Sequence, residues 1–263
     1  MPKRNLKLIL AYDGADFSGW QVQPNRLTIQ GTLANAIGRL TNENVLPQGS
    51  GRTDAGVHAL AQVATFVTES AIPVENFRRA LNGMLPPSIR VRSVEEVPPD
   101  FHARKSAVGK TYQYRMYREE VCPPFIARYV WHYPYPLNED AMRRAAKEVV
   151  GEHDFTSFAA VDPERFSGEP DAAGAEPSNV RTIFESRWER VGEELTYTVR
   201  GNGFLHHMVR NLVGSFLLVG KETLMVEDLR RILEARNRSE AGATAPASGL
   251  CLASVEYGPS SRE

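Results

Sequence analysis

The chain has 263 residues, of which 42% are hydrophobic and 24% charged, a composition that fits a folded globular protein and excludes disordered or collagen-like classes. Its 31 basic and 32 acidic residues leave a formal charge of -1, so the overall balance does not announce a nucleic-acid binder and any basic surface has to be local. Two cysteines, Cys122 and Cys251, stand far apart and outside any metal-ligand spacing, which argues against a disulfide framework and a zinc site and favours a reducing compartment.

In chain order, Asn5 to Asp13 alternates Leu6, Leu8 and Leu10 on one face and reads as a strand. Thr28 then caps a helix with Ile29, Leu33, Ile37 and Leu40 at intervals of three and four. An irregular loop from Asn42 to Gly56 precedes a strand from His58 to Thr68, a helix from Val74 to Met84 stopped by Pro86 and Pro87, and strands over Ile89 to Val97 and Lys110 to Arg118. The second half is expected to hold helices over Asn138 to Val150, Phe204 to Leu218 and Val226 to Ala235. Its strands are expected around Arg181 to Val191, Glu194 to Arg200 and Leu250 to Tyr257. Two successive mixed halves suggest an α+β protein of two subdomains with mainly antiparallel sheets, residues 1-105 and 106-263. Ser167 to Ser178 reads as a surface loop and Ser260 to Glu263 as a frayed tail.

The N-terminus MPKRNLKLIL lacks the apolar stretch of a signal peptide. No run approaches the roughly 18 apolar residues of a membrane span, the longest candidate, Val209 to Val219, being broken by Arg210, Asn211 and Ser215. A cytoplasmic protein without a membrane partner is expected. Charge is nevertheless uneven: Arg78 to Arg118 holds nine basic residues against three acidic, and Asn138 to Leu195 seven against fourteen. The basic stretch interleaves Arg104, Lys105, Lys110 and Arg115 with Tyr112, Tyr114 and Tyr117, a mixture suited to phosphate contacts and base stacking, and equally to a solvated charged face.

Familiar catalytic spacings are mostly missing. Gly109, Lys110 and Thr111 lack the glycine five residues earlier that a phosphate-binding loop requires, since Arg104 stands there, and no HExxH, GxSxG or HxE with CxxC occurs. His206 and His207 are adjacent, so on a helix they diverge by about 100° and cannot chelate one metal together.

Three segments carry candidate chemistry. In QGSGRTDAGVHA, Gln48 to Ala59, three glycines surround Arg52, Thr53, Asp54 and His58, and Asp54 is the only acid between Glu43 and Glu69. Such a loop allows close approach of a ligand, with Asp54 either a turn aspartate bonding its own backbone or a carboxylate nucleophile or base beside a cation. In GNGFLHHMVRNLVG, Gly201 to Gly214, Arg210 falls within an apolar helical stretch. It either emerges on the solvent side or needs an anionic partner, for which Asp54 is a candidate. In ARKSAVGKTYQYRM, Ala103 to Met116, alternation puts Tyr112, Tyr114 and Met116 on one strand face, where a phenol could be core, could stack on a base or could handle a proton.

In this order, and with LAYDGADFSGWQVQP at Leu10 to Pro24 and PASGLCLASVEY at Pro246 to Tyr257, these segments closely resemble the bacterial tRNA pseudouridine synthase A family along nearly the whole chain. The resemblance implies an RRM-like or ferredoxin-like α/β architecture, the pseudouridine synthase fold, in a homodimer that uses no cofactor and no metal. It implies Asp54 as the catalytic nucleophile of uridine isomerisation and Arg52 as an aid to extruding the target nucleotide. Tyr112 would stack on the uracil and Arg210 pair with the catalytic carboxylate, while Thr53 and His58 are carried over as substrate-binding. The implied partner is tRNA, modified at uridines 38, 39 and 40 of the anticodon stem-loop. The residues alone also admit an RNA-binding module without catalysis and a pseudouridine synthase for another RNA site. An aspartate-dependent small-molecule hydrolase would want a second carboxylate near Asp54, and none is evident.

Overall fold

The computed structural model describes residues 2–161 and 178–258. The described residues form two compact units, one running up to Thr111 and resuming at Ala247, the other Tyr112–Pro246. The expected loop Ser167 to Ser178, except Ser178 itself, and the expected tail from Ser260 lie outside the described residues. No helix is long and apolar enough to cross a membrane among the described residues.

In the first unit, β1 (Arg4–Tyr12), α1 (Ile29–Thr41), β2 (Gln48–Gly49), β3 (His58–Thr68), α2 (Val74–Met84) and β4 (Ile89–Val97) follow one another. β1 lies between β4 and β3, antiparallel to both, with Leu8 opposite Ala64 and Val94. β2 pairs antiparallel with β3 through Gln48 and Thr65. This is the βαββαβ order of a ferredoxin-like fold, with its second strand cut to two residues. The edge of β3 thus left open is taken, at its other end, by β10 (Leu250–Tyr257), which runs parallel with Cys251 opposite His58. An unpaired edge strand is an exposed row of donors and acceptors, and closing it joins the C-terminal residues to the first unit.

The core of this unit follows from the expected periodicities. Leu6, Leu8 and Leu10 are wholly buried along one face of β1, with Ile29, Leu33 and Ile37 of α1 and Phe77 and Leu81 of α2. The Thr28 side chain caps α1 by accepting from the Gly31 amide at 3.2 Å, and Asn42 closes it in the left-handed conformation with φ 60°. The helix α2 ends at Met84, ahead of the two prolines.

The chain leaves the first unit within β5 (Ala107–Tyr117), whose burial alternates at Tyr112, Tyr114 and Met116. The second unit continues with β6 (Trp131–His132), α3 (Glu139–Lys147), β7 (Gly151–Asp154), β8 (Val180–Val191), β9 (Glu194–Gly201), α4 (Met208–Gly220) and α5 (Asp228–Ala235). Its sheet runs β5-β9-β8-β7, with β6 parallel to β5 and the β7-β8 and β8-β9 pairs antiparallel. Trp188, Tyr197 and Phe216 pack ring against ring, with centroids 5.0 to 6.2 Å apart, and fasten α4 to the sheet.

The sequence expectation placed the start of α4 at Phe204, but the helix begins at Met208. His207 sits at φ 58° in the left-handed region, so the two histidines are not successive helical residues. Their rings lie against each other with centroids 4.0 Å apart. The divergence of about 100° expected of neighbours on a helix is absent, because the helical conformation is broken at His207.

Candidate active site

The loop that carries Asp54 is held from behind by the segment just after β1. A side chain is excluded at Gly14, where a Cβ would meet the Val57 carbonyl oxygen at 1.9 Å, and at Gly19, where φ is +87° and a Cβ would lie 2.6 Å from the Thr53 carbonyl oxygen. That closeness allows the Trp20 amide to donate to the Thr53 carbonyl at 3.0 Å and the Gly56 amide to the Phe17 carbonyl at 3.3 Å. Within the loop the Val57 amide donates to the Asp54 carbonyl at 3.1 Å. Lys110 donates to the Ser50 carbonyl at 2.7 Å, and Gln62, wholly buried, donates to the Gly51 carbonyl at 2.9 Å. A loop fixed at both ends and in its middle presents its side chains without further ordering cost.

Its residues divide by direction. Arg52 is exposed and Asp54 half-buried, whereas Thr53 and His58 are buried. The hydroxyls of Thr53 and Tyr12 share a hydrogen bond of 2.8 Å. Burial pushes the Tyr12 phenol far above its usual range, against the smaller opposing effect of that bond. His58 Nδ1 accepts from the Gly14 amide at 3.1 Å and lies 3.2 Å from an Asp13 carboxylate oxygen.

The other candidates belong to the second unit. Tyr112 is buried, and its ring meets Phe204 edge-on, with centroids 5.0 Å apart. Tyr114 is wholly buried and donates to the Pro246 carbonyl at 2.8 Å. Arg210, half-buried in the first turn of α4, donates from Nε to the Ala245 carbonyl at 2.7 Å, and its own carbonyl accepts from the Ala245 amide at 3.1 Å. The backbone pair fixes where the side chain starts, and the Nε bond fixes the plane of the guanidinium. His206 contributes an Nδ1 contact of 3.1 Å to the Val161 carbonyl and is therefore tied to the end of the segment before residue 162.

Three supporting roles have no counterpart in the sequence reading: the Tyr12 to Trp20 segment as backing for the loop, Lys110 as a donor to it, and the polar group formed by Asn211, Arg238 and Thr244. The first had a signal, two glycines within a short aromatic-rich stretch. The last had a fainter one, an asparagine inside the apolar run of α4.

The chain matches the family profile described as tRNA pseudouridine synthase over residues 8–104 and 145–258. It belongs to that family. It is 54% identical to the tRNA pseudouridine synthase A of Solibacter usitatus over 254 residues, covering 97% of this chain and 100% of that protein. With the protein of the same name from Brevibacillus brevis it is 46% identical, again over 97% of this chain and 100% of its relative. Among solved structures, a chain of a Cbf5-Nop10-Gar1 complex aligns with 94% of this chain and 57% of its own at a TM-score of 0.33 and 12% identity, a level on which no argument rests.

Proposed function

We propose that this chain is the isomerase that converts uridine to pseudouridine at positions 38, 39 and 40 of the tRNA anticodon stem-loop, with Asp54 as nucleophile on a base turned out of the stack. The observation that carries the reading is Asp54 itself: a half-buried carboxylate on a loop pinned through Thr53, Gly56 and Val57, in a chain of this family. Arg52, exposed two residues before it, is suited to a phosphate or to the place a base leaves. Arg210 is assigned as the partner that keeps the carboxylate ionised, and Tyr112 as the phenol that stacks on uracil. Thr53 and His58, whose polar atoms bond to Tyr12 and Gly14, are assigned to holding the loop.

In the reaction the bond from N1 to C1′ breaks, a bond from C5 to C1′ forms, C5 gives up a proton and N1 gains one. Atoms and charge balance within the nucleotide, so no redox partner or nucleotide cofactor is required. The residue types are compatible with attack of the carboxylate at C1′ or at C6, or with removal of a sugar proton; each needs an ionised, oriented Asp54. Tyr112 is assigned as acceptor of the C5 proton. The enzyme is read as a cytoplasmic homodimer with tRNA as its macromolecular partner.

The test is to incubate the protein with tRNA transcripts bearing uridine at 38, 39 and 40, and with transcripts bearing cytidine there, then map pseudouridine by mass spectrometry. Product at those positions alone is expected. Product elsewhere in both transcripts would assign the protein to another site.

A further inference from the structure

The second unit holds a buried polar cluster that the chemistry above does not use, at the root of the helix that carries Arg210. Asn211 is wholly buried, and a primary amide removed from water is costly unless its groups are matched. Here they are matched. Its Nδ2 donates to the Phe158 carbonyl at 2.7 Å, while Oδ1 accepts from the Thr244 hydroxyl at 2.6 Å and from Arg238 Nη2 at 3.0 Å. One turn along α4 the Ser215 hydroxyl, also wholly buried, donates to the Asn211 carbonyl at 2.9 Å and accepts from the Gly242 amide at 2.8 Å. Between them Gly214 touches backbone, since a Cβ there would lie 1.8 Å from the Ala243 carbonyl oxygen.

The contacts of Thr244, Gly242 and Ala243 fasten one irregular segment, residues 241–246, to one helix. That segment bonds to Arg210 through both the amide and the carbonyl of Ala245, and its Pro246 carbonyl receives the Tyr114 hydroxyl. A segment without regular structure has no ladder of its own to define where its carbonyls point. Asn211, Ser215 and the bare Gly214 supply that definition here.

We infer that Asn211, acting through Thr244, is a positioning residue that sets the Ala245 carbonyl and thereby the plane of the Arg210 guanidinium. The inference rests on the proposed role of Arg210 toward the reacting carboxylate. If the cluster were a staple of the fold and nothing more, its loss would lower stability and leave the chemistry of folded protein unchanged. A positioning role instead makes its loss a rate effect that depends on Arg210.

The experiment measures single-turnover pseudouridine formation at saturating tRNA, tRNA affinity and thermal melting for the wild type, Thr244→Val, Thr244→Ser, Arg210→Lys and the Arg210→Lys, Thr244→Val pair. Valine keeps the shape and removes the hydroxyl, and serine keeps the hydroxyl. Lysine has no Nε donor on a planar fork to be held by Ala245. Thr244→Val is expected to slow the reaction on the order of tenfold, the scale of a sub-ångström misplacement. Affinity is expected to change by less than about twofold, Thr244→Ser to keep the wild-type rate, and Thr244→Val to add less than about twofold once Arg210 is lysine. Should Thr244→Val melt below the assay temperature, Thr244→Ala takes its place with the same expected factors. A wild-type rate for Thr244→Val, or the same loss in the lysine background, overturns the inference. A wild type that forms no pseudouridine removes the functional reading and this inference with it, a result told apart from the others before any variant is compared.

Discussion

Tyr112 combines two offers in one side chain, a ring held edge-on by Phe204 and a hydroxyl. Tyr112→Phe separates them. Because the ring and its contact remain, tRNA affinity is expected to stay as in the wild type. The rate is expected to fall by about 100-fold or more if the hydroxyl takes the C5 proton, the usual scale of general acid-base catalysis. Full product formation by the phenylalanine variant would leave the ring with stacking alone. At this scale the sequence singles out candidates where chemistry narrows residue types, one acid among glycines and one arginine in an apolar helix, and the structure places the first on a pinned loop and the second in the first turn of α4. The bonds of Thr53 to Tyr12 and of His58 to Gly14 had no signal in the sequence, because a hydroxyl or imidazole in a polar loop looks the same whichever partner it takes.

Elements with strong periodicity were readable almost to the residue, as in β3, α2, β4 and β10, because alternation or a 3.6-residue repeat spans enough positions to be counted. The strands β2, β6 and β7, of two to four residues, are too short to show a period and exist only because a longer neighbour offers an edge. The start of α4 differs from the expected one for a local reason, the left-handed His207, which a periodic pattern of apolar residues does not register. Close backbone approach is the other feature invisible to periodicity, and it yields two predictions. Gly19→Ala forces a left-handed alanine into the Thr53 carbonyl. A loss of about 2 to 4 kcal/mol in denaturant unfolding is expected, combining strain and overpacking, with activity falling further than the unfolded fraction explains. Gly214→Ala drives a methyl into the Ala243 carbonyl. The same unfolding assay should show a loss of about 1 to 3 kcal/mol, and unchanged stability would mean that α4 and residues 241–246 are not in contact.

Among the described residues, several tyrosines hold their protons above the usual phenol range. Burial does this for Tyr12, Tyr114, Tyr197 and Tyr257, and the Glu193 carboxylate, 2.6 Å from the hydroxyl, pushes Tyr117 up to about 12. A phenol raised in the folded state binds its proton where the unfolded chain, titrating near 10, has lost it. Its contribution to stability is therefore complete below about pH 10 and falls as pH rises from 10 through 12 and beyond. The melting temperature is expected to fall steeply above pH 10. Tyrosinate absorbance should grow in two phases, the second coinciding with loss of helical circular dichroism. A single phase completed before unfolding would contradict the burial of these side chains.

The near-zero net charge of the whole chain concealed its division into a basic and an acidic stretch, and composition alone would have argued against an RNA enzyme. Local motifs outweighed it, since the chemistry needs only one carboxylate and a few cations at fixed places. The carboxylate assigned to that place is Asp54. The measurement that tests it most directly is tritium release from tRNA labelled at uracil C5, with wild type and Asp54→Ala side by side and both checked for native circular dichroism. Release by the wild type and none above background by the variant is the predicted result. Release by folded Asp54→Ala at a comparable rate would contradict the account and place the nucleophile elsewhere.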